Sequence, residues 1–76
     1  MSTVQLQRVD PDRNMARFYT MTVQPSLFGE WCLVREWGRI GSPGRVVSTP
    51  FPSPALAEAA LDLWRRQKQQ KGYIPG

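Results

Sequence analysis

The chain has 76 residues with 41% hydrophobic content, and ten Lys and Arg against six Asp and Glu give it a net charge of +4 and a pI near 10. A chain of this length has room for one domain and one core, and its three Trp, three Phe and two Tyr supply the apolar area for folding. One Cys and no His exclude an intramolecular disulfide, the usual zinc ligand sets and a nucleophile activated by histidine. We therefore predict a single domain over residues 1–76, with a core from about residue 4 to residue 73 and no metal or cofactor.

The cations, most of them arginines, favour a polyanionic partner, because guanidinium groups bind phosphate and stack on planar groups. A basic but otherwise ordinary solvated surface is the alternative that composition leaves open. No window approaches the roughly 20 apolar residues of a membrane span, and the N-terminus lacks the basic and then apolar order of a secretion signal. We expect a cytoplasmic protein that does not contact a membrane.

Apolar, aromatic and β-branched residues predict four strands in chain order, over residues 4–9, 16–23, 31–39 and 45–49. The first two form a hairpin around a turn rich in Asp, Pro and Asn, and Tyr19, Met21 and Val23 share one face of the second. Pro25 is expected to break the ladder, since proline has no N–H to donate. Glycines and a proline in residues 40–44 predict a tight turn between the third and fourth strands.

A helix is predicted from Pro54 to about Gln70. Ser53 is the expected N-cap, Pro54 fits the first helical position, and Gly72 suits a left-handed C-terminal cap. Apolar residues at three- and four-residue spacings form one predicted buried stripe, Leu56, Ala57, Ala60, Leu61 and Trp64. The predicted fold class is therefore α+β, a small antiparallel sheet of about four strands with one C-terminal amphipathic helix packed across one face.

The third strand holds the candidate functional site. Alternation sets Trp37 on one face with Arg35 and Arg39 as its neighbours. Buried guanidinium groups would be costly, so we expect Trp37 to be exposed at the strand end, where an indole packs on a base or sugar while arginines contact phosphate. Glycines at 38, 41 and 44 leave the main chain uncovered for a ligand. Arg17 and Arg45 widen this surface if their strands lie beside the third.

In an alternative interpretation, Trp37 anchors the strand end to the helix while Arg35 and Arg39 pair with Glu30 or Glu36. Glu36 also conflicts with the face assignment, because it would point toward the core unless the strand bulges or ends there. The cations at the C-terminal end of the helix have two interpretations as well, phosphate contact or a solvated helix end that offsets the dipole. They are Arg65, Arg66, Lys68 and Lys71.

The segment Trp37-Gly38-Arg39-Ile40-Gly41 follows an upstream Asn14-x-x-x-Phe18-Tyr19 and precedes Gly44, Phe51, the helix and Lys71-Gly72-Tyr73. The order and spacing of these elements resemble the WGR domain family over nearly the whole chain. That family is known from DNA-damage-responsive poly(ADP-ribose) polymerases and from bacterial proteins, in some of which the domain stands alone, as we expect here. The resemblance implies an antiparallel sheet with one helix, in agreement with the fold predicted above.

The resemblance also implies roles for individual residues. In the polymerases the domain binds DNA near a break, with the motif tryptophan packing on a terminal sugar and the motif arginine linking neighbouring domains. By motif position, the resemblance implies that Trp37 is the residue that packs on the sugar and that Arg39 couples to a neighbour or contacts phosphate. This chain has no polymerase domain and no zinc fingers, so Arg39 would bridge to another chain or to the nucleic acid itself.

We predict a non-enzymatic module that binds nucleic acid, with DNA favoured over RNA, through the backbone or duplex ends and without reading sequence. The alternative is a protein-interaction or regulatory module that docks through the same Trp and Arg surface. An enzyme is disfavoured, because the carboxylates are scattered and no P-loop or dinucleotide motif occurs. The sequence leaves the oligomeric state open. The predicted nucleic-acid-binding residues are Trp37, Gly38, Arg39, Arg35, Arg45 and Lys71.

Overall fold

A computed structural model describes residues 2–76. Strands, one 3-10 turn and one helix follow each other along this part of the chain. They are β1 (Ser2–Asp10), the 3-10 turn (Pro11–Arg13), β2 (Met15–Pro25), β3 (Trp31–Arg39), β4 (Arg45–Phe51), α1 (Pro54–Gln70) and β5 (Ile74–Pro75). No helix within these residues combines the length and the apolar character that a membrane crossing requires.

The strands form one antiparallel sheet in the order β4-β3-β2-β1-β5. The first four strands are therefore neighbours in space as they are in sequence, which short turns between antiparallel strands allow. β3 lies between β2 and β4, so residues of both neighbouring strands lie opposite the Trp37-Gly38-Arg39 segment. Tyr19 and Arg45 lie opposite Trp37, and Arg17 lies opposite Arg39.

The core lies between α1 and one face of the sheet. Its centre consists of Met21, Val23 and Leu33, whose side chains are fully buried, because alternation along β2 and β3 points them toward the helix. These residues lie on β2 and β3, two neighbouring strands against which α1 packs. The other buried side chains are Leu6, Tyr19, Ala57, Leu61 and Tyr73.

Both ends of α1 have the expected capping residues. The Ser53 side chain accepts a hydrogen bond from the Leu56 N–H at 3.3 Å, and Pro54 occupies the first turn. Past the C-terminal end, Gly72 has a φ of 96°, the left-handed conformation that glycine adopts without strain. These local signals fix where the helix begins and ends, which is why the sequence predicted its bounds.

The α+β class, the first four strands and the helix are confirmed, and several details differ. A two-residue strand, β5, pairs with β1 and was not predicted, because two residues are too short to show a period. Pro25 does not interrupt β2, since it is the last residue of the strand and lies opposite Trp31. Leu56 is 51% exposed, because it precedes the buried Ala57 by one residue and so points about 100° away around the helix.

The helix covers the other face of β3 from the one that the sequence suggested. Leu33 and Trp37 point toward α1, and Glu36 points away from it. The pairing of β2 with β3 is continuous, from Pro25 opposite Trp31 to Arg17 opposite Arg39. Glu36 therefore stays out of the core without a bulge. The conflict that Glu36 raised therefore came from assigning the core to the wrong face.

Gly38 and Gly44 allow close packing on the side of the sheet away from the helix. A Cβ on Gly38 would lie 3.2 Å from the Gly44 Cα, and a Cβ on Gly44 would lie 2.7 Å from Cζ of Phe18. Phe18 thus packs into the space that the two missing side chains leave. Gly41 differs, because its φ of 91° is left-handed and a Cβ there would meet nothing.

We expect Gly44→Ala to lower the free energy of unfolding by about 1–3 kcal/mol, the usual cost of overpacking. The added methyl would also lie 2.9 Å from the backbone oxygen of Trp37, which cannot rotate away. The denaturant midpoint measures this effect. Ser42→Ala, in the same turn and exposed, is the matched control and should change stability by less than about 0.5 kcal/mol. Equal midpoints for the two variants would contradict the close packing at Gly44.

Candidate functional site

Trp37 and Tyr19 form the centre of the site. They lie opposite each other on β3 and β2, and their rings stack with centroids 5.6 Å apart and planes 18° from parallel. Trp37 is half-buried, since it packs against the core on one side and lines an open cleft on the other. Trp37 is therefore both packed against the core and accessible from the cleft, two arrangements that the sequence presented as alternatives.

Arg35 lies among these aromatic rings and does not line the cleft. Its guanidinium carbon is 4.1 Å from the ring centroid of Trp64 and 5.5 Å from that of Trp37, and its Nη1 donates to the Tyr19 hydroxyl at 3.2 Å. Its Nε is buried without a hydrogen-bond partner in residues 2–76. The expectation that arginines keep this face out of the core was wrong, because two indole rings and one hydroxyl offset part of the desolvation cost. Arg35 is placed to hold Trp37 in position.

An open cleft of about 470 Å³ lies at the end of the sheet near the C-terminal end of α1. We call it the Trp37 cleft. Half of its lining residues are cations, supplied separately by β2, β3 and α1, and two of the others are aromatic. Its volume is within the range of about 300–1,000 Å³ that small-ligand sites have. The lining residues are Arg17, Trp37, Gly38, Arg39, Lys68 and Tyr73.

Lys68 reaches into the cleft across aromatic faces. Its Nζ is 4.7 Å from the ring centroid of Tyr19 and 5.7 Å from that of Tyr73. Partial burial is the largest cause of a lowered pKa of Lys68, and three nearby cations lower this pKa further, Lys71, Arg35 and Arg17. An anion bound in the cleft would stabilise the protonated amine and raise the pKa again.

Arg39 is exposed at the mouth of the cleft, where Asn14 holds it. Its Nη1 donates to the Asn14 carbonyl at 3.3 Å and its Nη2 lies 3.5 Å from the Asn14 Oδ1. Asn14 has a φ of 52°, a left-handed conformation that asparagine tolerates, and its N–H donates to the Pro11 carbonyl. These neutral acceptors orient the guanidinium without cancelling its charge, so Arg39 keeps its capacity to bind an anion.

Three arginines lie in one row across the sheet at this end. Arg8 is opposite Arg17, and Arg17 is opposite Arg39, all on the helix side. Like charges directly opposite each other are destabilising. No member of the row forms an ion pair with a carboxylate in the described part of the chain, where the ion pairs found join Asp10 to Arg13 and Asp62 to Arg65 and Arg66. The row is therefore a concentration of unneutralised positive charge.

Two other predicted site residues, Arg45 and Lys71, do not line the cleft. Arg45 is exposed on β4 opposite Trp37, and Lys71 is exposed at the C-terminal cap of α1. Sequence reasoning missed the cleft positions of Lys68 and Tyr73. Lys68 is one helical turn after Trp64 and therefore shares its face, which is a signal that the helical spacing contained. Tyr73 follows the helix, and no local pattern indicates where the chain after α1 folds back.

The fold and the site together define a small α+β domain with a basic, aromatic-lined cleft. No group of three or more His, Cys, Asp or Glu within residues 2–76 is placed to hold a metal ion. The chain belongs to the WGR domain family, which matches residues 2–76. This family is known in nucleic-acid-binding contexts.

The chain is also 48% identical over 71 residues to a protein of Sinorhizobium fredii (strain NBRC 101917 / NGR234) named "Uncharacterized protein y4dW". The aligned region covers 92% of this chain and 34% of that protein, so the chain spans about a third of the length of this relative. No solved structure matches the chain.

We expect Arg35→Ala to lower the free energy of unfolding by about 1–3 kcal/mol, because it removes the contacts with both indole rings and the bond to Tyr19. Denaturation followed by tryptophan fluorescence measures the change. Arg45→Ala is the matched control, an exposed arginine on the neighbouring strand, and should cost less than about 0.5 kcal/mol. If Arg45→Ala were the more destabilising of the two, the positioning role of Arg35 would be wrong.

Proposed function

We propose that the Trp37 cleft binds the sugar-phosphate backbone of nucleic acid, DNA in preference to RNA, at or near a duplex end. The observation that carries the proposal is the row Arg8, Arg17 and Arg39, which has no ion pair in the described part of the chain and lies beside a half-buried tryptophan. Repulsion between these arginines lowers the stability of the unbound domain, and a bound phosphate relieves this repulsion.

The chemistry of the cleft suits a polynucleotide better than a free phosphate ion. Arg39 and Arg17 supply planar donors that match phosphate oxygens, and Lys68 adds a third charge from the helix. Trp37 and Tyr73 offer apolar ring surface next to these donors, to which a sugar or a base packs. A small inorganic anion would leave that aromatic surface unused.

The arrangement supports binding that does not depend on base sequence. Base-specific recognition in duplex DNA usually presents a helix or a strand pair to the major groove. Ala57 and Leu61 of α1 are instead buried in the core, and the cations of the cleft come from three separate elements. Contacts of this kind fix the position of a backbone and carry no sequence information.

Fluorescence anisotropy with labelled blunt, nicked and single-stranded DNA tests the proposal, with each titration repeated over a range of salt concentrations. We expect Arg17→Gln and Lys68→Gln each to reduce the slope of log affinity against log salt by about 1, since each removes one phosphate contact. Arg66→Gln is the matched control, because Arg66 lies on the outer side of α1 and is paired with Asp62. Its slope should equal that of the unsubstituted domain.

Trp37→Leu tests the aromatic contact separately. Leucine keeps apolar bulk against Tyr19, so the domain should stay folded while DNA affinity falls by about 5- to 100-fold. Circular dichroism provides the check on folding. Failure to bind any of the three DNA forms at low salt would refute the proposal. A folded Trp37→Leu domain with unchanged DNA affinity would exclude Trp37 from the DNA contact, and loss of a protein partner by the same variant would favour a protein-interaction module instead.

A further inference from the structure

The hairpin loop between β2 and β3 presents two large apolar side chains to solvent. Leu27 is 98% exposed and Phe28 is 86% exposed, the highest exposures among the large apolar residues of the described chain. Isolated exposed apolar residues are common on proteins, but two adjacent ones at a loop end form a protruding apolar surface. We call residues 26–30 the Leu27 tip.

The Leu27 tip has a defined conformation. The Ser26 Oγ accepts hydrogen bonds from the N–H groups of Phe28 at 3.2 Å and Glu30 at 3.3 Å, and the Ser26 N–H donates to the Glu30 carbonyl at 2.8 Å. Gly29 supports the turn with a φ of 84°. Because the backbone is held by these bonds, little conformational entropy would be lost when the two apolar side chains enter a partner.

An apolar groove of about 530 Å³ runs along the flank of α1. We call it the α1 groove, lined by Ala60, Leu63, Trp64, Arg66, Gln67 and Gln70. Leu63 is 66% exposed, and the exposed Leu56 lies two turns before it on the same side of the helix. The apolar arc of α1 is therefore wider than the sheet beneath it covers, and the excess faces solvent.

We propose that the domain associates with a second copy of itself, head to tail, with the Leu27 tip of one copy inserted in the α1 groove of the next. The groove has the volume of a small-ligand site, which accommodates one leucine and one phenylalanine side chain. Charge also matches, because Glu30 is an exposed acid at the tip, whereas Arg65 and Arg66 beside the groove share a single carboxylate, Asp62, which leaves a net positive charge there. A lipid surface fits the tip less well, since no cation occurs in the sequence between Arg17 and Arg35 to attract anionic headgroups.

This contact joins different surfaces of the two copies, so it does not close into a symmetric dimer by itself. Each copy retains a free tip or a free groove, and further copies add to either end. The interface is small, which places the association in the weak range. The α1 groove and the Trp37 cleft share no lining residue, so the contact leaves the cleft accessible.

Sedimentation velocity and equilibrium measurements on the purified domain test the proposal without nucleic acid. The average mass should rise above the 8.7 kDa of one chain, and beyond twice that value, as the concentration increases from micromolar to millimolar. Removing either partner surface should lower the association constant by about 10- to 100-fold. The variants are Leu27→Ser with Phe28→Ser for the tip, and Leu63→Glu for the groove. Val9→Ser, an exposed apolar residue of β1, is the control and should associate like the unsubstituted domain.

A mixture of the two variants distinguishes this contact from any other self-association. The tip variant keeps its groove and the groove variant keeps its tip, so an equimolar mixture should form one-to-one heterodimers and stop at that size, while each variant alone stays monomeric. Circular dichroism verifies that both are folded, and Leu63→Ser replaces Leu63→Glu if the glutamate disturbs the helix. A domain that is monomeric at millimolar concentration would overturn the proposal. So would an association constant that neither variant lowers, or a mixture that associates no more strongly than either variant alone.

Discussion

The stacked pair of Tyr19 and Trp37 connects the core of this domain to its surface. Tyr19 is buried and Trp37 is half-buried, and the two rings meet because β2 and β3 place them directly opposite each other. Arg35 packs beside the pair and Lys68 lies over the Tyr19 ring. Two cations and two aromatic rings thus stabilise one another at the point where the hydrophobic core ends and the basic cleft begins.

The pair also explains how a domain of 76 residues keeps a charged surface so close to its core. A short chain buries a smaller fraction of its surface than a large domain does, so it cannot separate its binding site from its core by an intervening layer. The guanidinium of Arg35 is instead accommodated among aromatic faces, which attract cations without requiring carboxylates. No acid in the described residues forms an ion pair with Arg35, Arg17 or Arg39, so the positive charge of Arg17 and Arg39 beside it is not cancelled.

Local chemistry made most of the fold predictable. Ser53, Pro54 and Gly72 specify the ends of α1 through single residues, and alternation in β2 identified the buried face. Alternation in β3 gave the correct set of side chains on each face but not which face the helix covers. That choice depends on tertiary packing, in which the stacking of Arg35 on Trp64 offsets the penalty that sequence reasoning assigned to a buried arginine.

The site was less predictable than the fold, because its residues come from elements far apart in the chain. Trp37, Gly38 and Arg39 are contiguous and formed a recognisable motif, whereas Arg17, Lys68 and Tyr73 join them only through strand register and the return of the chain after α1. The role of Gly38 likewise depends on residues outside the motif. Its side of the sheet is filled by Phe18 and Gly44, so its small size serves close packing within the sheet.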